Sequence, residues 1–189
     1  MKPLRPFPFP LNVGTDICQI SRVYGILKSP RATRFVNRIF SPEEQAGKDP
    51  RLRCLERHRP LRSAFPNDEP KHFEVDGGKP LTSEEIAHRD PERWAAAAFV
   101  AGRFAAKEAA IKAHSHRRLT FHDVVIERRG RSEERLGSGP PVARIKGEEA
   151  EEEDVSAMIS ISHDGDYATA VCMAYDPSVM DSGRGCEMS

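Results

Sequence analysis

The sequence predicts an α+β domain in which an antiparallel sheet packs on one long central helix. Three observations lead there. The alanine-rich run from Asp90 to Ala113 is the only stretch long enough to make a helix that spans a small domain, and alanine is the best helix former. After that run the hydrophobic period changes to two, as in strands. Ahead of it lies a short apolar strand followed by helical patterns, and the order strand, helices, long helix, strands is that of an α+β fold.

The elements follow in order. Residues 11–18, LNVGTDIC, read as a strand. Ile20, Val23, Tyr24 and Leu27 stand at helical spacing, and Pro30 closes that helix. Arg31 to Phe40 forms a second helical pattern with Phe35, Val36 and Ile39 on its apolar side. Ser41-Pro42-Glu43-Glu44 carries the signature of a capping box, with serine as N-cap and glutamate at the third helical position. Residues 46–91 are rich in Arg, Pro, Asp and Gly with little periodicity, and read as an insertion or long loop, partly disordered. Asp90 then caps the long helix and Pro91 suits its first position. Val124 to Glu127, Val142 to Ile145, Ala157 to Ser162 and Tyr167 to Ala174 read as strands, the last two joined through Asp164-Gly165, a hairpin signal. The expected domain is 11–175, with a polar, flexible tail over 176–189 that frays.

Composition bounds the function. With 29 basic and 29 acidic residues the formal charge is zero, so bulk charge draws the chain to neither nucleic acid nor membrane. Arginines 51, 53, 57, 59 and 62 and the acidic run 148–154 read as solvated loops. Few aromatics interleave with the basic residues, which counts against a nucleic-acid binder. No apolar run approaches a membrane span. Cys18, Cys54, Cys172 and Cys186 form no C-x-x-C pair, which argues against zinc and a disulfide framework. The opening MKPLRPFPFP is too proline-rich for a signal-peptide core and too short for a clear transit peptide.

Three groups of residues could carry chemistry. Glu108 and Lys112 are four apart on one helix face; the same spacing also describes an ordinary exposed ion pair. Asp16, leaving an apolar strand after Gly14-Thr15, points into a cleft or caps the next helix. His163 stands at a strand end, where a solvated hairpin histidine is the plainer account, and its neighbours Ser162 and Asp164 lie too close in sequence to make a triad. Taken singly, none of the three assigns a function.

Taken in order, they do. Gly14-Thr15-Asp16-Ile17 with Arg22, then Arg103-Phe104-Ala105-Ala106-Lys107-Glu108-Ala109-Ala110-Ile111-Lys112-Ala113, then Ser160-Ile161-Ser162-His163-Asp164 with Tyr167-Ala168, resemble the holo-acyl-carrier-protein synthase type of 4′-phosphopantetheinyl transferase. The resemblance covers about 11–45 and 92–175 and is nearest to fungal mitochondrial-type members. It implies the phosphopantetheinyl transferase fold and transfer of phosphopantetheine from coenzyme A to a serine of an apo-acyl carrier protein, with adenosine 3′,5′-bisphosphate as by-product. It implies Mg²⁺ held by Asp16 and Glu108, a mix of few carboxylates, substrate phosphate and water that suits this ion. Lys112 would reach the same phosphates, and Arg103, Lys107 and His163 would contact other parts of coenzyme A. Glu108 or a metal-bound water would take the serine proton. Arg22, Arg31 and Arg34 would dock the acidic helix of the carrier.

Further implications concern assembly and place. One copy of each motif implies a homotrimer whose site is completed by a neighbouring chain, in mitochondria or alternatively in the cytoplasm, with a fatty-acid-type carrier as the default. Bacterial members follow the long helix with a glycine-rich turn. Here Ala113-His114-Ser115-His116 stands there, which suggests phosphate contacts from His116, Arg117 or Arg118 instead of backbone amides. A non-catalytic coenzyme A or carrier-binding module would share the fold; the retained Asp16, Glu108 and Lys112 argue against it.

Overall fold

The first strand, β1 (Leu11–Gln19), alternates as a sheet strand must, but its helix-facing side is the polar or small one. Gly14 and Cys18 are buried and Asp16 half-buried, whereas Leu11, Val13 and Ile17 point to the open face. The structure is a computed structural model, and it describes residues 9–57, 75–76, 79–128, 139–149 and 151–176. β1 leads into α1 (Ile20–Lys28), which buries Ile20, Val23, Tyr24 and Leu27 as their spacing predicts. The N-cap residue Gln19 makes no side-chain cap. Asp166, from a distant hairpin, supplies it: its carboxylate accepts from Ser21 N at 2.8 Å and Ser21 Oγ at 2.7 Å.

Next come α2 (Ala32–Ile39) and α3 (Pro42–Ala46), the latter opened by the expected capping box of Ser41 and Glu44. A 3₁₀ turn over Pro50–Leu52 and α4 (Arg53–Arg57) follow. Two-residue strands β2 (Val75–Asp76) and β3 (Lys79–Pro80) pair with each other, and α5 (Ser83–Arg89) starts from a second capping box, Thr82 with Glu85. The loop expected over 46–91 is thus corrected where it is described. Cys54, Leu81 and Ile86 are buried in the core, so its helical ends are anchored. Residues 58–74 lie outside the described residues, as does the tail from 177. Asp176, expected to fray with that tail, is buried, and its N–H donates to Pro10 O at 2.9 Å.

The long helix α6 (Pro91–Ala113) begins where Asp90 and Pro91 predict. Behind it come β4 (Val124–Arg128), β5 (Pro141–Ile145), β6 (Val155–Asp164) and β7 (Tyr167–Tyr175). They join β1 in one five-stranded sheet of order β1-β7-β6-β5-β4, in which every neighbouring pair is antiparallel. The β6–β7 hairpin turns at Gly165, whose φ of +52° suits a residue without Cβ. α6 lies along β1 and β7, with α1 on its other flank. Small residues line that contact: Ala168, Ala170, Cys172 and Ala174 on β7 face Ala105, Ala106, Ala109, Ala110 and Ala113 on the helix, all buried. The runs read as solvated are tied down in part: the Arg51 guanidinium lies 3.7 Å from the Phe99 ring centroid, and Asp154 pairs with Arg144 at 2.6 Å.

Candidate active site

Gly14 sets the geometry. A Cβ there would stand 1.9 Å from Ala109 O and 2.6 Å from Ala113 N, so only glycine lets β1 come this close to α6. Two residues on, Asp16 shares that face and meets the helix. Its Oδ1 accepts from Lys112 Nζ at 2.8 Å, and the same ammonium donates to Thr15 O at 3.0 Å. Lys112 is half exposed, with a third hydrogen left for another acceptor. The Asp16 hydrogen bond, reinforced by the charges of Asp16 and Glu108, holds its pKa above the usual lysine value. Glu108, one turn earlier, is half-buried and has no hydrogen-bond partner among the described residues.

The other oxygen of Asp16, Oδ2, is buried and accepts from no donor among the described residues. An orphaned carboxylate oxygen is costly unless a cation or donor completes it. Among the described residues no third His, Cys, Asp or Glu joins the pair to make a metal cluster. Two carboxylates alone are a poor set for zinc, but they suit Mg²⁺, which keeps waters and takes substrate phosphates.

The neighbouring positions divide sharply. Lys107, expected among the coenzyme A ligands, has no solvent exposure. Its Nζ donates to Ile39 O at 2.7 Å, Phe121 O at 2.9 Å and Glu44 Oε2 at 2.5 Å, which uses all three hydrogens. Burial pulls its pKa down and Glu44 opposes that pull. Arg103 is the other α6 cation expected to contact coenzyme A. Five residues from Glu108, it lies about 140° around the helix, donates to Ile126 O at 3.0 Å and leans over the Phe99 ring. Neither cation is brought to the carboxylate pair.

His163 is exposed and lies on the helix-facing side of β6, with Ala168 between it and Cys18 of β1. Two strand spacings, roughly 10 Å, separate it from Cys18, and Asp16 lies two residues earlier on β1. Its Nε2–H donates to Ala98 O at 3.0 Å, and it rests against Gly102, where a Cβ would stand 2.8 Å from Nε2. Arg22, Arg31 and Arg34 are all exposed. Arg22 lies 5.9 Å from the centroid of Phe104, one turn before Glu108, and Phe35 of α2 stacks on the same ring at 6.5 Å. Arg22 therefore borders the face that carries Glu108, and Phe35 brings α2 to the same ring.

The turn after α6 is taken up by internal contacts. His114 is buried and its Nδ1–H donates to Ala110 O at 2.7 Å. His116 faces Asp176 at 3.5 Å, and Arg117 pairs with Glu148 at 2.9 Å and donates to Lys146 O at 3.0 Å. Of the three side chains expected to meet phosphate there, Arg118 alone has no partner among the described residues. Sequence reasoning missed Glu44 as a partner of Lys107, and Gly102 as the seat of His163. A glycine inside an alanine-rich helix was the available signal for the second.

No protein-family model matches the chain. The mitochondrial 4′-phosphopantetheinyl transferase B of Aspergillus fumigatus is 33% identical over 183 residues, 90% of this chain and 97% of the relative. A holo-[acyl-carrier-protein] synthase of Myxococcus xanthus is 28% identical over 163 residues, 84% of this chain and 90% of its own length. The crystal structure of the Plasmodium yoelii holo-ACP-synthase shares the fold, with a TM-score of 0.50 at 21% identity over 87% of this chain and 94% of that one. Likeness at this level over nearly the whole length of both chains, in a protein whose strand aspartate pairs with the helix lysine one turn beyond Glu108, is that of a family member: the chain is an enzyme of the 4′-phosphopantetheinyl transferase family, of the holo-acyl-carrier-protein synthase type.

Proposed function

We propose that this enzyme transfers 4′-phosphopantetheine from coenzyme A to a serine of an apo-acyl carrier protein, giving the holo-carrier and adenosine 3′,5′-bisphosphate. The observation that carries the reading is the pairing of Asp16 with Lys112 on the Glu108 face, with one Asp16 oxygen buried and unpartnered. The serine oxygen forms a bond to the pantetheine-side phosphorus, the pyrophosphate P–O bond breaks, and the electron pair leaves on the nucleotide. Asp16 and Glu108 are the residues that would hold Mg²⁺, whose charge would stabilise that building on the pyrophosphate. The third hydrogen of Lys112 is offered to a phosphate oxygen as a point charge. The serine proton would go to a Glu108 carboxylate oxygen or to a water held at the carboxylate pair. With Nε2–H bound to Ala98 O, the open ring atom of His163 is Nδ1, which would contact the nucleotide.

Arg22, Arg31 and Arg34 would meet an acidic helix of the carrier, where opposite charge speeds encounter and fixes register. Mitochondria are the preferred setting, supported by the name of the Aspergillus fumigatus relative, with the cytoplasm as the alternative, and a fatty-acid-type carrier is the default. No helix of the described residues is long and apolar enough to cross a membrane. A homotrimer is part of the proposal. Val13, Ile17, Met158, Val171, Met173 and Tyr175 are exposed together on the outer face of β1, β6 and β7, an apolar surface of the kind a subunit contact covers. Incubation with coenzyme A, Mg²⁺ and an apo-carrier, followed by mass spectrometry of the carrier, tests the activity; a carrier that gains no phosphopantetheine overturns it. Light scattering on the eluting protein tests the trimer, and a monomer mass rejects it.

A further inference from the structure

Lys107 is the largest side chain in the core with no exposure, and it is the residue immediately before Glu108. From Ala105 onward the other fully buried residues of α6 are alanines, Ala105, Ala106, Ala109, Ala110 and Ala113, while Phe99 and Val100 are buried nearer its start. Methyl groups make shallow ridges, so a small rotation or slide of such a helix loses few specific contacts. Hydrogen bonds are directional and resist both movements. Each hydrogen of the Lys107 ammonium ends on a different element: Ile39 O at the end of α2, Glu44 Oε2 on α3, and Phe121 O in the loop before β4. Glu44 is held in turn, its Oε2 accepting from Ser41 N at 2.9 Å and its Oε1 from Ile126 N at 3.2 Å. A buried ion pair adds little net stability over a well-packed apolar pair, and its best-attested use is to set register. Here the register is that of the helix that carries Glu108.

We propose that the buried Lys107–Glu44 pair is a positioning device. It fixes the rotation and axial setting of α6 so that Glu108, about 100° further round, presents its carboxylate to the site it shares with Asp16. This rests on the carboxylate-pair reading above. Shared ligation from two elements tolerates misplacement of only about 0.5 Å, and partners behind metal ligands typically change metal affinity or activity by roughly 10- to 100-fold when altered.

The test uses Mn²⁺ as a paramagnetic probe, titrated by electron paramagnetic resonance into the full-length protein with coenzyme A present. The double variant Lys107→Met with Glu44→Gln removes both charges at nearly constant volume and leaves no unpaired buried charge. The expected result is a thermal midpoint near that of the unaltered protein, Mn²⁺ affinity weakened by about tenfold, and kcat lowered by a similar factor at unchanged KM for the carrier. A folded double variant with unaltered Mn²⁺ affinity and kcat overturns the proposal. Should the double variant unfold, Glu44→Asp decides, because it keeps both charges and shortens the reach by one methylene: weakened Mn²⁺ affinity supports positioning, and unchanged affinity overturns it. Failure of the unaltered protein to bind Mn²⁺ with coenzyme A overturns the reading of the site itself, and is seen before any substitution is made.

Discussion

Gly14→Ala is the most direct probe of how the site is assembled. The added Cβ would lie 1.9 Å from Ala109 O, 2.6 Å from Ala113 N and 3.0 Å from Ala109 C, all backbone atoms that cannot swing aside. Ordinary contact with such atoms begins near 3.5 Å, so β1 has to withdraw from α6 by about 1.5 Å. Overpacking of this kind costs about 1–3 kcal/mol, and rigid neighbours place this case at the upper end. For a chain of this size, about 3 kcal/mol lowers the thermal midpoint by roughly 6–12 °C. The functional loss should be larger. Asp16 moves with the strand, away from the helix that carries Glu108 and Lys112, and a displacement of about 1 Å at a reacting centre costs on the order of 100-fold. Urea denaturation gives the first quantity, and carrier modification measured well below the midpoint gives the second. A variant that keeps both its denaturation midpoint and its rate would refute the close approach of β1 to α6.

Five more substitutions separate the parts of the molecule. Asp16→Asn and Glu108→Gln should each reduce turnover by at least about 100-fold while leaving the circular dichroism unchanged, and near-normal rates in both would remove the two carboxylates from the chemistry. Asp166→Ala deletes the borrowed cap of α1 and should cost about 1–2 kcal/mol in a urea titration; no loss would mean that Ser21 N finds another acceptor. Arg22→Glu should raise the KM for the carrier with little change in kcat, and an unaltered KM would place docking elsewhere. Burial holds the pKa of His114 below its ordinary value, with His116 and Arg117 adding to the effect and Asp176 and the Ala110 carbonyl opposing it. Unfolded chains take up that proton near pH 6.5 while the folded protein resists it, so this contribution is present above about pH 6.5 and is lost as pH falls below it. Denaturation midpoints at pH 7.5 and 5.5 should differ more for the natural protein than for His114→Gln, and equal differences would refute the assignment.

The long helix was legible because its signals agree: Asp90 and Pro91 at the start, and alanine throughout. The strands were legible from their period of two. Which face of β1 lies inward was not, since alternation alone does not say which side another element covers. Leu11, Val13 and Ile17 point outward, and the inner face carries glycine, aspartate and cysteine. The helices between 46 and 91 escaped notice because they are short, although Thr82 and Glu85 spell the same capping box that Ser41 and Glu44 do. Lys107 read as a coenzyme A contact because lysine is almost never fully buried, and its acceptors come from 14, 63 and 68 positions away. Asp166 read as a turn residue for a similar reason: the helix it caps begins 145 positions earlier along the chain.

The placement of Lys107 beside Glu108 also accounts for the composition of α6. Aspartate is short, so Asp16 meets Lys112 at 2.8 Å only if strand and helix backbones stand close together. Glycine at 14, alanine at 168 and 170, and alanine along the helix provide that closeness. The same residues leave the interface with little shape to hold the helix in register. A long side chain on the opposite flank can add directional bonds without thickening the contact with β1. Lysine reaches past the alanines to acceptors on α2, α3 and the loop before β4, whereas a bulky apolar residue would fill space without restraining direction. Successive residues on an α-helix lie about 100° apart, so Lys107 can be anchored on one flank while Glu108 opens on another. Close approach and polar anchoring are thus two halves of one arrangement: the first brings Asp16 to the helix, and the second determines where Glu108 stands when it arrives.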